Sequence, residues 1–131
     1  MEYRERIPVV FEFLGVGIVY GELRRILSPR TIEALIKKLP IKSPVNVWGG
    51  GEVYFPVDIK RGREKATLEI DAGTIAYWPL GDALCLFYEK IKPYSPVNLL
   101  GEVTEGIEVL KKVKRGTTVK FYSISAEKAP T

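Results

Sequence analysis

No histidine and no glutamine occur anywhere in the chain, cysteine occurs once, at Cys85, and asparagine only at Asn46 and Asn98. Without an imidazole, Ser-His-Asp and Cys-His nucleophilic sites, a histidine general base and the zinc sites that need histidine are excluded. A single cysteine cannot close an intramolecular disulfide, which fits a reducing cytosol, and its apolar neighbours read as packing. Scarce amides beside abundant lysine, arginine and glutamate are the bias of thermophilic proteins. No apolar run approaches the ~20 residues that span a bilayer, and the longest N-terminal one is broken at Glu12. The expectation is a chain without signal peptide or membrane span, located in the cytoplasm. No metal ligand set and no cofactor motif is present, so none is expected of either.

What is there suits one globular domain of 131 residues with its core at about 7–124. An apolar fraction of 46% against 27% charged residues is enough for a single core. The net charge of +4 raises the question of nucleic acid. Its lysines and arginines fall in separate groups, Lys37-Lys38, Lys60 to Lys65 and Lys111 to Arg115. Those groups read as solvated faces and helix ends, with no nucleic-acid-binding motif among them.

Strand patterns cover 7–14 and 18–23 across a glycine-rich link, then 41–48 and 52–59 across Gly49-Gly50-Gly51. Further strands are expected at 66–70, 97–103 and 117–123. Ser28-Pro29 offers an N-cap oxygen and a proline at N1 for a helix with Ile32, Leu35, Ile36 and Leu39 on one face, stopped by Pro40. Thr104 opens a second helix, expected over 105–113 and ended by Gly116. The residues from Glu127 on read as a loose tail. Eight or nine short strands with tight turns favour a closed barrel, which leaves no unpaired edge.

The densest segment runs from Gly73 to Tyr88, with Trp78, Cys85 and three more aromatics about a Pro79-Leu80-Gly81-Asp82 turn. Apolar residues are nearly continuous on both sides of that turn, the pattern of strands buried on both faces. Such a turn is placed to line a pocket. Trp48 and Trp78 read as pocket-lining aromatics or as large core residues, and Tyr54 and Tyr77 share that ambiguity. Glu52 and Asp82 are the acids nearest a mouth, or else strand-edge and turn charges. Asn46 and Asn98, each in a Pro-Val-Asn triplet, either contact a ligand or satisfy backbone at a strand entry. Catalytic residues are not assigned.

The segments Val45 to Gly49 with Glu52 to Phe55, Ala76 to Pro79 with Gly81, and Ser95 to Asn98 before Gly101 together resemble a small prokaryotic family of cyclophilin-like proteins. The resemblance runs from about Ile7 to Phe121. It implies a mainly β fold, a closed eight-stranded cyclophilin-like barrel capped by two short helices. Leu99 to Leu110 is also similar to the corresponding run of true cyclophilins. Their arginine that polarises the prolyl amide, and their glutamine that binds the substrate backbone, have no counterpart in Val45 to Glu52. Their tryptophan- and histidine-bearing loop is replaced by Lys92-Pro93-Tyr94-Ser95-Pro96. The reading is a barrel that binds a small molecule or a proline-containing peptide without the usual isomerase residues. The alternatives are an active peptidyl-prolyl cis-trans isomerase and a protein interaction module, including a homo-oligomer. The candidate ligand-binding residues are Asn46, Trp48, Glu52, Tyr54, Tyr77, Trp78, Asp82 and Asn98.

Overall fold

The computed structural model describes residues 4–124; the expected tail lies outside them. Strands β1 (Arg6–Phe13) and β2 (Gly17–Arg24) form a hairpin that closes between Phe13 and Gly17. Helix α1 (Pro29–Lys38) follows, then β3 (Ile41–Pro44), β4 (Asn46–Trp48) and β5 (Glu52–Pro56). The Gly73–Tyr88 segment supplies β6 (Thr74–Trp78) and β7 (Ala83–Phe87), joined by the predicted tight turn. Strand β8 (Asn98–Glu105), the short helix α2 (Ile107–Leu110) and β9 (Thr118–Ser123) complete the chain.

All neighbours pair antiparallel, in the order β3-β9-β1-β2-β8-β6-β7-β5-β4. The two ends of this order, β3 and β4, are consecutive in the chain and separated by Val45 alone. The sheet therefore curls into a nearly closed barrel of nine strands, where the family resemblance implied eight. The extra strand arises because 41–48 changes partner midway. Pro44 has no N–H to continue a ladder, and Val45 turns its own N–H and carbonyl to Thr117 and Gly116, both at 2.9 Å.

The barrel interior is apolar. Phe11 stacks on Phe121 at 4.4 Å between centroids, and Phe55 meets both edge-on at 6.4 and 6.0 Å. Ile32 and Leu35 of α1 and Leu110 of α2 enter the same cluster, so the helices contribute apolar side chains to one core. Each such buried side chain contributes about 1.5–3 kcal/mol. Between β2 and β8 the backbones come close enough that a Cβ at Gly101 would lie 1.9 Å from the carbonyl oxygen of Glu22. Only glycine allows that approach.

Three local expectations change. Residues 66–70 form no strand; a single bridge, Thr67 to Val97, ties them to the barrel. Thr104 and Glu105 extend β8, and α2 begins after Gly106, whose φ of 90° turns the chain into it. Ser28 does not cap α1: its hydroxyl donates to the carbonyl of Leu99 at 2.7 Å, drawing the helix start onto β8. No helix among the described residues is long and apolar enough to cross a membrane.

Strands β6 and β7 are covered on both faces, as their continuous apolar sequence requires. Inside lies the main core. Outside, Ile70, Ala76, Cys85, Phe87 and Val97 form a second buried cluster with Tyr54, Trp78, Ile91 and Leu99 against it. The segments containing Ile70 and Ile91 to Val97 thus lie over the barrel's outer wall.

Candidate functional site

Directly opposed residues of antiparallel strands point to the same face. Asn46 opposes Tyr54, Trp48 opposes Glu52, Tyr54 opposes Cys85, and Trp78 opposes Ala83. The register therefore gathers Asn46, Trp48, Glu52, Tyr54 and Trp78 on the outer face of β4, β5 and β6. Over this face the 89–97 segment brings Pro93, Tyr94 and Val97. Trp48, Glu52, Tyr54, Trp78 and these three residues enclose a cleft of about 220 Å³. Asn46 shares the face but does not line the cleft.

Trp78 is its central wall. The ring of Tyr54 stands nearly perpendicular to it at 5.9 Å, and the ring of Tyr94 does the same, also at 5.9 Å. The indole N–H donates to Ser95 Oγ at 2.7 Å, which ties the loop to the wall and leaves the indole without a free donor. Gly81 makes this seat: a Cβ there would fall 2.2 Å from the Trp78 ring. Tyr94 is 71% exposed and Trp48 40%, so these two form the rim.

Among the described residues Glu52 is the one charged side chain of the cleft lining, and it is only 6% exposed. Burial pushes its carboxyl above the ordinary glutamate range, opposed in part by a hydrogen bond with the Cys85 thiol. The same burial, and the nearby carboxylate, push the Cys85 thiol well up, so it is an inert thiol rather than a nucleophile. No lysine or arginine among the described residues forms an ion pair with Glu52. The cleft lining contains no arginine; Arg61 and Arg63 line a separate depression with Arg30, Thr31 and Glu64.

The remaining sequence candidates lie elsewhere. Tyr77 follows the alternation to the inside of the barrel and opposes Asn98 across β6 and β8. Its hydroxyl donates to Asp82 Oδ1 at 2.6 Å and accepts from the Arg61 amide at 3.1 Å. Asp82 Oδ1 also accepts from the amides of Ile59 and Lys60 at 3.1 and 3.0 Å. Asn98 accepts from the Glu64 amide at 2.8 Å and donates to Thr31 Oγ1 and the Gly62 carbonyl at 3.1 and 3.0 Å. Tyr77, Asp82 and Asn98 thus pin the 59–64 loop to one end of the barrel. Burial, then the bond to Asp82, pushes the Tyr77 phenol up to about 12.

Glu64, which the sequence did not single out, completes this brace. Its carboxylate accepts from the Arg30 and Thr31 amides at 3.0 and 2.9 Å and from the Thr31 hydroxyl at 2.7 Å. It caps α1 from a loop more than thirty residues away, in the place Ser28 was expected to fill. Burial raises its pKa, but those hydrogen bonds outweigh it and hold the carboxyl below its usual range. Pro93, Tyr94 and Val97 were also missed as cleft residues. Their signal was the Pro-Tyr-Ser-Pro loop that stands where the cyclophilin tryptophan loop would be. Among the described residues no group of three or more Cys, Asp or Glu side chains is placed to hold a metal ion.

Comparison with known proteins agrees with this architecture. The sequence matches the family described as Cyclophilin-like over residues 5–122. A solution structure of a hypothetical protein from Archaeoglobus fulgidus is 32% identical, with a TM-score of 0.81 over 95% of this chain and 100% of that one. McbB, solved in complex with tryptophan, superposes with a TM-score of 0.74 at 20% identity, over 94% of this chain but 46% of its own. A cyclophilin-type peptidyl-prolyl cis-trans isomerase from Cryptosporidium parvum superposes with a TM-score of 0.65 at 12% identity, over 92% of this chain and 98% of its own. These last two likenesses concern the fold alone. No curated protein matches the sequence.

Proposed function

The chain belongs to the Cyclophilin-like family, and we propose that it is a binding barrel whose outer cleft takes a small molecule or a short peptide segment without isomerising it. The observation that carries this reading is the convergence of Trp48, Glu52, Tyr54, Trp78 and Tyr94 on one cavity. Concave, mostly apolar sites with one oriented polar group are the usual form of ligand sites. At about 220 Å³ the cleft is smaller than the ~300–1,000 Å³ of drug-sized sites, which favours a compact ligand. McbB, a distant relative in fold, was solved with tryptophan, and a small aromatic ligand is compatible with this lining.

Isomerase chemistry is disfavoured by the composition of the same lining. Rotation about a prolyl bond is accelerated by a donor that stabilises the twisted amide. Here the Trp78 N–H is engaged by Ser95, the other donors of the described lining are neutral phenols, and its charged group is a carboxylate. A protease-coupled assay on proline peptides is expected to show no acceleration over buffer. Robust acceleration that disappears in Trp78→Ala would overturn the binding-only reading. Amide NMR shifts during titration with tryptophan and with Ala-Pro peptides are expected to cluster at residues 48–54, 78 and 93–97. Shifts centred on the 59–64 loop would move the site from the outer wall to the end of the barrel.

A further inference from the structure

The cleft contains an imbalance that its aromatic character alone does not explain. Its lining carries Glu52, only 6% exposed, and no cationic side chain among the described residues accompanies it there. Isolated carboxylates are seldom buried without a partner, because desolvation of the charged form is costly. The two lysines of the covering segment do not supply one. Lys90 and Lys92 face a different depression, shared with Glu69 and Asp71.

Around this carboxylate stand aromatic side chains whose polar atoms, among the described lining, are the Tyr54 and Tyr94 phenols and the engaged Trp78 N–H, with no cation to hold a ligand anion. Tyr54 and Tyr94 stand nearly perpendicular to Trp78, and Trp48 lines the cleft with them. With its N–H held by Ser95, Trp78 presents only its ring. Aromatic faces carry partial negative charge, and a cation placed among several of them gains about 0.5–2 kcal/mol per favourable contact. A carboxylate beneath them adds charge of the same sign. Pro93 and Val97 complete the enclosure with apolar surface that suits methyl groups better than water.

From this geometry we infer that the cleft is an aromatic cage for an organic ammonium group, with Glu52 as its counter-ion. The inference rests on the binding reading above and narrows it to one ligand class: compact, cationic and alkylated at nitrogen. A ligand carboxylate would meet phenol hydroxyls but no cation in the described lining, and would stand near Glu52, so an amine is favoured over the corresponding amino acid. Glu52 directly opposes Trp48 on β4 and Phe87 on β7, hydrogen-bonds with the Cys85 thiol, and shares the cleft with the Tyr54 and Tyr94 phenols. None of these is positively charged. A bound ammonium would therefore be the sole cation of the site.

Choline and its neutral carbon isostere, 3,3-dimethyl-1-butanol, have nearly the same shape and differ in charge, and isothermal titration of the intact protein compares them. Choline is expected to bind roughly 30-fold tighter than the isostere. Glu52→Gln keeps shape and should abolish most of that preference, and Tyr94→Ala, at an exposed rim position, should weaken choline several-fold with the fold intact. A trimethyllysine peptide run in parallel identifies the source of the cation, and its binding supports the same class. Equal affinity for choline and isostere, or tighter binding of tryptophan than of tryptamine, overturns the ammonium class while cleft binding stands. No binding of any of these probes, together with no NMR response to proline peptides, overturns both readings.

Discussion

Tyr77 and Trp78 are neighbours in the chain and belong to two regions with opposite polar economies. On the inner side, Tyr77 joins Asp82, Asn98 and Glu64 in a brace whose donors and acceptors meet inside the protein. On the outer side, Trp78 shares the cleft with Glu52, a buried acid with no cation among the described lining residues. Both regions hold polar groups out of water; the first meets them with several hydrogen bonds, whereas Glu52 has the weak Cys85 thiol and no ion pair among the described residues. Satisfied polar networks rigidify a fold, whereas an acid in a cavity without a counter-ion keeps its charge for something else. The contrast separates a holding role from a binding role where residue type alone does not.

Substitution can break this comparison. The largest effect is expected at Asn98, which joins β8, α1 and the 59–64 loop through three hydrogen bonds. Asn98→Ala should cost about 3 kcal/mol in urea unfolding, from lost bonds and buried partners left unpaired. A loss below about 1 kcal/mol would dissolve the distinction between brace and cleft.

Glu64→Gln is expected to cost about 1 kcal/mol at neutral pH through the weakened cap. Because the folded pKa of Glu64 lies below its unfolded value, its stabilisation is full above the ordinary carboxylate range and is lost as pH falls through the folded value. Acid unfolding of the variant should therefore be flatter than that of the parent. An unchanged acid limb would remove Glu64 from the brace.

Glu52→Gln should have the smallest effect on stability and the opposite sign. The folded pKa of Glu52 is raised, so between the ordinary glutamate value and the folded value the native state holds more protons than the unfolded one. Parent stability then declines as pH rises across that window, and the variant should escape the decline. A gain of about 0.5 kcal/mol above the window is expected. A clear loss there would mean that Glu52 is internally matched after all and belongs with the brace.

Much of this was legible from residue order. Paired apolar runs about glycine-rich links marked the hairpins, and Ser28-Pro29 marked the start of α1. Trp48, Glu52, Tyr54 and Trp78 could be grouped because their motifs lie on short strands with clear turns. Period-two alternation separates Tyr77 from Trp78, although the motif and its turn make both of them pocket candidates. The ninth strand depended on Val45 changing partners, which is a long-range event. Glu64 capping α1, and Tyr94 reaching Trp78, each join segments far apart in the chain. Local pattern carries no record of such meetings.

The position of the tryptophans has a practical consequence. The chain has two, Trp48 and Trp78, and both line the cleft. All indole emission from the protein therefore originates at one spot on its outer wall, and none from the barrel interior. Fluorescence reports the condition of the cleft, while far-ultraviolet dichroism reports the sheet. The two signals together resolve, without any label, loosening of the covering loop from melting of the barrel beneath it.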